Sequence, residues 1–468
     1  MTEKFKLMDE DQLSFDLIEA QFALRESRDQ KNAKSLLILV NGIDLAGKGE
    51  AVKQLREWVD PRYLKVKADK PLVLDHSQPY WLPYMGSIPK EGQITILFGN
   101  WYSDLLNTAM HVSHPIDDSL YDEYIKKMAI YEQDLKNNNV DVIKVWFDLS
   151  WKTLQQRIED MPPSEARWHK LHGIDWHNQH KYDTLQRLRK RFTDDWLIID
   201  GEDKHRDQIF AQHILKALKD CPEHSKEVKT KWKNNPIPVA LLQPENSALD
   251  KTEYKSKLKK LSSEVADALR FDQRHVLICF EGMDAAGKGG AIKRIVQKLD
   301  PREYEIHSIA APEPYELRRP YLWRFWRRIQ TDGDINIFDR TWYGRVLVER
   351  VEGFAHPAQW QRAYAEINRF EQDLIDHNHV IIKFWLAISK DEQEARFKAR
   401  EDTPHKRFKI TEEDWRNRER WDDYLQAAAD MFAHTSSHDA PWHIIATDDK
   451  NTARIQVLET ILKQLKAT

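Results

Sequence analysis

Cysteine is scarce in this sequence, since 468 residues contain only Cys221 and Cys279. The first lies in a stretch rich in proline and lysine and the second in an apolar run, so neither a disulfide framework nor a cysteine metal site is indicated. Long hydrophobic runs are also lacking, and no apolar stretch approaches the roughly 18 residues needed to span a bilayer. The N-terminus has neither the basic region nor the apolar core of a signal peptide. We therefore expect a soluble, cytoplasmic protein that does not bind membranes.

Neither sign of charge dominates the sequence. The formal net charge is −4, although 32% of the residues are charged. A general nucleic-acid binder usually carries an excess of positive charge, so this balance argues against nucleic acid as a partner, while local basic patches remain open. The length is sufficient for two or three domains with sizeable cores.

The stretch VLICFEGMDAAGKGGAIK in the second half has the order of a phosphate-binding loop. A β-branched apolar run is followed by a glycine-rich turn and a helix-compatible segment, and such a turn binds anions. Gly282, Gly287 and Lys288 fit G-x-x-x-x-G-K. Gly289 stands where most P-loop nucleotidases place a Ser or Thr that binds magnesium. Asp284, inside the loop, is the obvious replacement, because Mg²⁺ prefers oxygen ligands.

The same loop occurs twice in the chain. The first half contains ILVNGIDLAGKGEAV, which places Asp44 and Lys48 240 positions before Asp284 and Lys288. So long a period indicates duplication of a whole domain and not a solenoid of small repeats. One glycine turn before a helix is often a plain tight turn. Two copies at one offset, each with an Asp and a Lys, favour phosphate binding.

Strand-like and helix-like patterns alternate in both halves. Residues 94–98 and 140–149 in the first half, and 335–338 and 380–387 in the second, have the apolar runs of buried parallel strands. Amphipathic helices separate them. The pattern predicts an α/β fold of two tandem P-loop-kinase-like domains, each with a parallel sheet, helices on both faces and a helical lid. Ligands are expected outside the carboxyl ends of the strands.

Proline-rich composition locates the boundary between the two domains. Four prolines stand among Lys and Asn after Cys221, which is typical of a linker. We predict an N-terminal domain at 1–225, a linker at 226–250 and a C-terminal domain at 251–468.

The strand predicted at 335–338 leads into the sequence DRTWYGR. A carboxylate at the end of a strand beside a P-loop is where a Walker B aspartate holds magnesium, so Asp339 is a predicted metal ligand. Arg340 and Arg345 could pair with phosphate oxygens. The alternative is a simple Asp–Arg ion pair that closes the strand.

A cluster of cations follows the strand predicted at 380–387. Arg396 and Arg400 lie one helical turn apart, and Lys406 and Lys409 come before an acidic helix that contains tryptophan. Cations between two helices suggest a lid that closes over a polyanion, excludes water and neutralises charge in the transition state. A solvated basic face is the alternative, and the P-loop upstream favours the lid.

Two further patterns have more than one interpretation. Residues 318–328 interleave five arginines with four aromatic residues, which fits single-stranded nucleic acid, an inorganic polyanion, or an amphipathic helix with core aromatics. His169, His172, His177 and His180 have spacing that could bind a transition metal. The corresponding second-half positions carry no histidine, so we predict no metal there.

Together, the two G-x-D-x-x-G-K-G loops, FDRTWYGR and PHKRFKITEEDW resemble the polyphosphate kinase 2 family over almost the whole chain. The tandem arrangement is similar to its two-domain class, class II, the polyphosphate:AMP phosphotransferases. The resemblance implies an Mg²⁺-dependent transfer of the terminal phosphoryl group of inorganic polyphosphate to AMP, giving ADP. Use of GMP and assembly into a homo-oligomer are left open.

The resemblance and the motifs together define a set of site residues. The predicted catalytic residues are Asp284, Lys288, Asp339, Arg340, Arg345, Arg396 and Arg400. The predicted substrate-binding residues are Gly282, Ala285, Ala286, Gly287, Gly289, Lys406 and Lys409. Asp284 and Asp339 are the predicted Mg²⁺ ligands.

The first half departs from the family pattern. Aligning Trp101 with Trp342 puts Phe98 and Gly99 where the Asp–Arg pair should be. We therefore expect the C-terminal domain to be the catalyst and the N-terminal domain to be a degenerate, structural partner.

Two other functions would share parts of these motifs. An ATP-dependent nucleotide or nucleoside kinase normally keeps Ser or Thr after the loop lysine, so Gly289 argues against it. A nucleotide-binding regulator without turnover would not need an intact Asp339–Arg340 pair.

Overall fold

The structure is a computed structural model that describes residues 6–27, 33–74, 78–110, 116–164, 166, 178–220, 232–329, 335–403, 410 and 412–467. The chain divides into two compact units. The first consists of Met1–Asp75, Tyr80–Lys226 and Pro312–Trp323, and the second of His76–Pro79, Glu227–Ala311 and Arg324–Thr468. None of the helices in the described ranges is long and apolar enough to cross a membrane.

The first unit is built on a five-stranded parallel sheet with the order β2-β3-β1-β4-β5. Its strands are Ser35–Gly42 (β1), Leu64–Ala68 (β2), Ile94–Phe98 (β3), Val140–Asp148 (β4) and Trp196–Asp200 (β5). Its α-helices from the first half are Glu10–Glu26, Lys48–Trp58, Trp101–Ala109, Asp118–Asn137, Trp151–Glu159, Gln179–Arg189 and Arg206–Lys219. Two 3₁₀ helices span Pro61–Tyr63 and Leu82–Ser87.

The second unit repeats this order, as β7-β8-β6-β9-β10, in a second parallel sheet. The strands are His275–Gly282 (β6), Tyr304–Ser308 (β7), Ile335–Asp339 (β8), His379–Ala387 (β9) and Trp442–Ala446 (β10). The longer helices are Lys251–Phe271, Lys288–Ile295, Pro357–Ile375, Lys390–Glu401, Glu412–Glu419, Trp421–Thr435 and Lys450–Ala467. The short ones are Val239–Leu242, Val296–Lys298, Trp323–Trp326, Trp342–Arg345 and Val348–Val351.

Both sheets fit the predicted α/β architecture. In each unit the P-loop strand is central and pairs with a strand on each side, and nearly all of its residues are buried, as expected when both faces of a parallel sheet are covered. A buried ion pair is repeated as well: Lys383 Nζ lies 2.7 Å from Glu371 Oε2, and Lys144 Nζ lies 2.9 Å from Glu132 Oε2. The duplication seen in the loops therefore extends to the core.

The arginine–aromatic run is not one amphipathic helix. A helix at Pro314–Leu317 ends before the run, and a second short helix begins at Trp323. Trp323, Phe325 and Trp326 are buried, and the Phe325 ring packs edge-on against Trp342 with centroids 5.8 Å apart. These three rings are part of the core, which favours the interpretation of the run as core aromatics over stacking of these rings on bases.

The described part of the predicted linker belongs to the second unit. Trp232 Nε1 donates to Asp430 Oδ2 at 2.9 Å, and the backbone N–H of Asn235 donates to Asp430 Oδ1 at 2.7 Å. Arg350 forms an ion pair with the same carboxylate at 2.8 Å, and the Trp232 ring stacks on Tyr364. Residues 232–250 are thus anchored to this unit by a buried acid and are not a free tether.

Candidate active site

The second P-loop connects the central strand β6 to the helix that begins at Lys288. Gly282 has φ +140°, and an added Cβ would come 2.2 Å from the backbone oxygen of Leu386, so only glycine allows this close strand approach. Gly287 has φ +113° at the helix N-cap, with no side-chain cap. The first backbone N–H groups of a helix have no intrahelical acceptor and are suited to bind anions. The local backbone therefore forms the anion site that the motif predicts.

Lys288 folds back over its own loop. Its Nζ donates to the backbone oxygens of Gly282 at 2.9 Å and Met283 at 3.4 Å. This places the ammonium group at the carboxyl end of the central strand. Ala285, Ala286, Gly287 and Gly289 line the cleft beside it.

Asp284 is held by side chains from two other elements. Its Oδ1 accepts from Arg340 Nη2 at 3.1 Å, and its Oδ2 accepts from Asn417 Nδ2 at 3.0 Å. Burial by itself opposes ionisation, but the charges of Lys288 and Arg340 and these hydrogen bonds outweigh it, and the pKa of Asp284 is lowered. The carboxylate is therefore ionised near neutral pH.

Asp339 ends strand β8, next to the P-loop strand. The pairing of β6 with β8 sets Phe280 opposite Asp339. An added Cβ on Gly289 would lie 4.0 Å from Asp339 Oδ2. The Ser or Thr hydroxyl that most P-loop nucleotidases have at this position would therefore lie beside the Asp339 carboxylate. Arg340, which follows, has φ +66°, an uncommon conformation for an arginine that is often found at functional sites.

Glu281 is a site residue that the sequence analysis missed. It is buried at the end of β6 and its Oε1 accepts from both the backbone N–H and the hydroxyl of Thr341, at 2.7 and 2.8 Å. Burial raises the pKa of Glu281 to about 7. A glutamate inside an otherwise apolar strand was the available signal. Its bond ties the P-loop strand to the turn that carries Asp339 and Arg340.

The two arginines predicted for the lid have different surroundings. Arg396 is buried, and its Nη1 donates to the backbone oxygens of Ala285 at 2.8 Å and Ala286 at 3.1 Å. Its Nη2 donates to the backbone oxygen of Asp448 at 2.6 Å. Arg396 therefore has the contacts of a residue that positions the P-loop, whereas the sequence predicted a catalytic lid cation.

Arg400, one turn further along the helix, lines an open cleft together with Asp414 and the P-loop. Burial lowers the pKa of its guanidinium from its high usual value. Arg345 forms an ion pair with Glu349 at 3.0 Å. Lys406 and Lys409 lie outside the described residues.

Residues of the P-loop line two clefts of different chemistry. One is basic and is lined by the loop, Asp339, Arg340 and other cations; its cationic residues are Lys288, Lys293, Arg294, Arg340, Arg400 and Arg454. The other is largely apolar and aromatic; its lining includes Met283, Leu347, Val348, Trp385, Trp421 and Tyr424. Asp284 and Arg340 line both clefts. The two clefts therefore meet at this pair of side chains.

A divalent cation would find three carboxylates in the basic cleft, those of Asp284, Asp339 and Asp414. Asp284 and Asp339 both line it, and Gly289 leaves the space beside Asp339 open. Within the described ranges, no group of three or more His, Cys, Asp or Glu side chains forms a metal centre. The residues thus fit a cation that takes only part of its oxygen ligands from protein and the rest from phosphate and water. Of the first-half histidines, His169, His172 and His177 lie outside the described residues.

The first unit has the same backbone but different side chains at this position. Gly99, with φ +115°, stands where Arg340 has φ +66°, and Phe98 stands where Asp339 does. An added Cβ on Gly99 would come 2.2 Å from the backbone oxygen of Asp69. An arginine could not be accommodated there without a backbone shift.

The loop side chains of the first unit also pair differently. Lys48 Nζ forms an ion pair with Asp44 at 3.1 Å and donates to the backbone oxygen of Gly42 at 2.7 Å. Asn41 Nδ2 donates to Asn100 Oδ1 at 3.0 Å, where the second unit has Glu281 and Thr341. The first unit therefore keeps the scaffold of the site without its strand-end Asp–Arg pair.

A parallel sheet of this order, with a P-loop on its central strand and a carboxylate on the next, is typical of P-loop kinase-like domains. The sequence profile of the Polyphosphate kinase 2 family matches residues 7–226 and 248–468. The chain therefore belongs to the polyphosphate kinase 2 family, with two tandem copies of its domain.

Relatives of similar length support this assignment. The chain is 70% identical to a polyphosphate:AMP phosphotransferase from Acinetobacter johnsonii over 98% of this chain and 97% of the relative. It is 40% identical to one from Pseudomonas aeruginosa over 96% and 94%. A crystal structure assigned as polyphosphate kinase 2 from P. aeruginosa superposes with a TM-score of 0.82 at 39% identity, covering 99% and 98% of the two chains.

Proposed function

We propose that the second unit transfers the terminal phosphoryl group of inorganic polyphosphate to AMP and so produces ADP. The observation that carries this proposal is the meeting of two unlike clefts at Asp284 and Arg340. A cleft lined by cations suits a polyanionic donor, and one lined by aromatic side chains suits a nucleoside. The names of the two full-length relatives support the same pair of substrates.

The transfer needs little proton chemistry from the protein. A phosphate oxygen of AMP, already anionic near neutral pH, attacks the terminal phosphorus of polyphosphate. The bridging P–O bond breaks, and its electron pair stays on the oxygen of the shortened chain. Catalysis then reduces to alignment and charge neutralisation. This accounts for a site built from cations and carboxylates without a general base.

Each part of the basic cleft has a role in this proposal. Lys288 and the backbone N–H groups of the P-loop bind donor phosphates, and Arg340 and Arg400 neutralise charge on the migrating phosphoryl group. Asp284 and Asp339 would hold Mg²⁺, which when bound neutralises phosphate charge and polarises the phosphoryl oxygens. Arg396 stabilises the conformation of the P-loop through its hydrogen bonds to the loop backbone. The first unit is a structural partner.

The matched lysines of the two loops provide the test. Lys288→Ala should lower the rate of ADP formation from AMP, polyphosphate and Mg²⁺ by at least tenfold, a loss of about 1.4 kcal/mol of transition-state stabilisation or more. Lys48→Ala, its counterpart in the first unit, should stay within a few-fold of the unchanged protein. Circular dichroism establishes that both variants are folded. Equal effects of the two substitutions would contradict the division of labour, and retention of activity in Lys288→Ala would contradict the site.

The choice of donor separates this function from that of an ordinary nucleotide kinase. With AMP as acceptor, polyphosphate should support ADP formation and ATP should not replace it efficiently. A higher kcat/KM with ATP than with polyphosphate would favour the kinase. Absence of turnover with either donor would favour a nucleotide-binding regulator.

A further inference from the structure

Two helices that follow strand β9 contact the P-loop. We call Lys390–Glu401 and Glu412–Glu419 the helix pair. From the first helix, Gln393 Nε2 donates to the backbone oxygen of Asp284 at 3.0 Å. From the second, Asn417 Nδ2 donates to the Asp284 carboxylate at 3.0 Å. Both helices therefore contact the same loop residue, one at its backbone and the other at its side chain.

The helix pair is held together by its own contacts. Arg418 forms an ion pair with Glu394 at 2.6 Å, and the rings of Phe397 and Trp415 pack edge to face with centroids 5.1 Å apart. The position of Asn417 is thus linked to the position of the whole pair. A change in how the pair sits on the loop would change the contact to Asp284.

The orientation of the Asn417 amide is set by a neighbour. Its Oδ1 accepts from the hydroxyl of Tyr424 at 3.3 Å, which leaves the Nδ2 end facing Asp284. An amide that donates to a carboxylate keeps that carboxylate in one rotamer, and such contacts to a metal-binding carboxylate commonly tune the affinity for the metal.

The first unit provides an internal comparison. Asn178 precedes Asn417 by 239 positions, the same offset that separates the buried lysines Lys144 and Lys383. Its side chain accepts from the backbone N–H of His180 at 3.0 Å and so caps a helix. The loop acid there, Asp44, forms an ion pair with Lys48 instead. The asparagine contact to the loop carboxylate is therefore a feature of the second unit.

We infer that Asn417 is a positioning residue, which fixes the Asp284 carboxylate for the divalent cation and makes that orientation depend on the docked helix pair. Arg340 donates to the other oxygen of the Asp284 carboxylate. The two contacts together therefore hold this carboxylate in one orientation. The inference rests on the proposed role of Asp284 as a cation ligand. Asn417 also lines the aromatic cleft, so the effect that the inference assigns to it is one on cation affinity, separate from any contact with AMP.

The test compares Asn417→Ala with Asn178→Ala. Loss of a hydrogen-bonding partner of a metal ligand typically costs 10- to 100-fold in metal affinity. We expect Asn417→Ala, measured at saturating AMP because Asn417 also lines the aromatic cleft, to raise the half-saturating Mg²⁺ concentration for turnover by at least tenfold and by more than any change in the KM for AMP. Asn178→Ala should leave both values unchanged, although it removes a helix cap.

A direct binding measurement makes the result independent of turnover. Binding of Mn²⁺ alone to the full chain, followed by electron paramagnetic resonance, should weaken at least tenfold in Asn417→Ala. Asp284→Asn serves as the reference and should abolish this binding. If Asp284→Asn abolishes binding and Asn417→Ala leaves it within twofold, the inference is overturned and the proposed site stands.

Two other outcomes also decide the matter. If Asp284→Asn binds Mn²⁺ as the unchanged protein does, the proposed cation site itself is wrong. If Asn417→Ala lowers the melting temperature and kcat together without altering Mg²⁺ or Mn²⁺ dependence, Asn417 has only a structural role and the inference is overturned.

Discussion

Arg396→Ala separates two roles that the sequence alone cannot distinguish. The guanidinium is buried and donates to three backbone oxygens, those of Ala285, Ala286 and Asp448, and it forms an ion pair with Glu392 at 2.6 Å. Removing it leaves buried acceptors without this donor. Removing a buried and paired charged group of this kind lowers the free energy of unfolding by about 3 to 5 kcal/mol.

This cost should appear as a loss of thermal stability. In a domain of this size, 1 kcal/mol corresponds to about 2 to 4 °C in melting temperature, so Arg396→Ala should lower the transition of the second unit by roughly 10 °C. Turnover should fall as well, because the P-loop carbonyls that Arg396 holds are next to Asp284. Differential scanning calorimetry and ADP formation, measured on the same preparation, report the two effects.

The first unit supplies the control for Arg396. Arg157 Nη2 donates to the backbone oxygen of Gly201 at 2.9 Å, and its Nη1 donates to the loop residue Leu45. Arg157→Ala should therefore destabilise the first unit and affect turnover much less. A variant Arg396→Ala that melts within about 1 °C of the unchanged protein but has lost turnover would refute the positioning role and support the catalytic role predicted for Arg396.

Three further predictions concern other parts of the second unit. Arg400→Ala should lower kcat at least tenfold, which is about 1.4 kcal/mol of transition-state stabilisation, with little change in melting temperature, because Arg400 lines the basic cleft. An effect confined to the KM for polyphosphate would show that Arg400 is a simple binding contact. Burial raises the pKa of Glu281 from 4.5 to about 7, so its contribution to stability is present below pH 4.5 and is lost as the pH rises through 7. Relative to the unchanged protein, Glu281→Gln should therefore gain about 2 to 3 kcal/mol in free energy of unfolding between pH 5 and pH 8. A difference in urea unfolding that stays constant over this pH range would contradict the prediction. Trp232→Ala should destabilise the second unit by about 3 to 5 kcal/mol, because it leaves a cavity beside Tyr364 and removes a hydrogen-bond donor to Asp430. An unchanged calorimetric transition would show that the contacts of Trp232 contribute nothing to the stability of this unit.

Local sequence was sufficient to predict the repeated scaffold. Strand 94–98 was predicted with the bounds that the structure gives, and the strand predicted at 335–338 extends by one residue to Asp339. These signals are local, because glycines in a P-loop and apolar runs in buried strands are required by backbone geometry and burial.

Sequence also identified Asp284, Lys288, Asp339 and Arg340 as neighbours, since loops at the carboxyl ends of adjacent parallel strands must meet. It could not predict which side chains of one helix or strand form hydrogen bonds with residues of another. Arg396 and Arg400 are one turn apart in the sequence, yet one is buried against loop carbonyls and the other lines the cleft.

The tertiary structure decided the environment of each group. Glu281 and Asn417 reach the site only because strand β6 meets Thr341 and the helix pair packs on the P-loop. Hydrogen bonds and pKa values depend on burial and on neighbours that are distant in the chain, and these are set when the elements pack. The loops, the duplication and the family follow from local patterns in the chain, whereas packing sets which side chains hold the loop and which face the cleft.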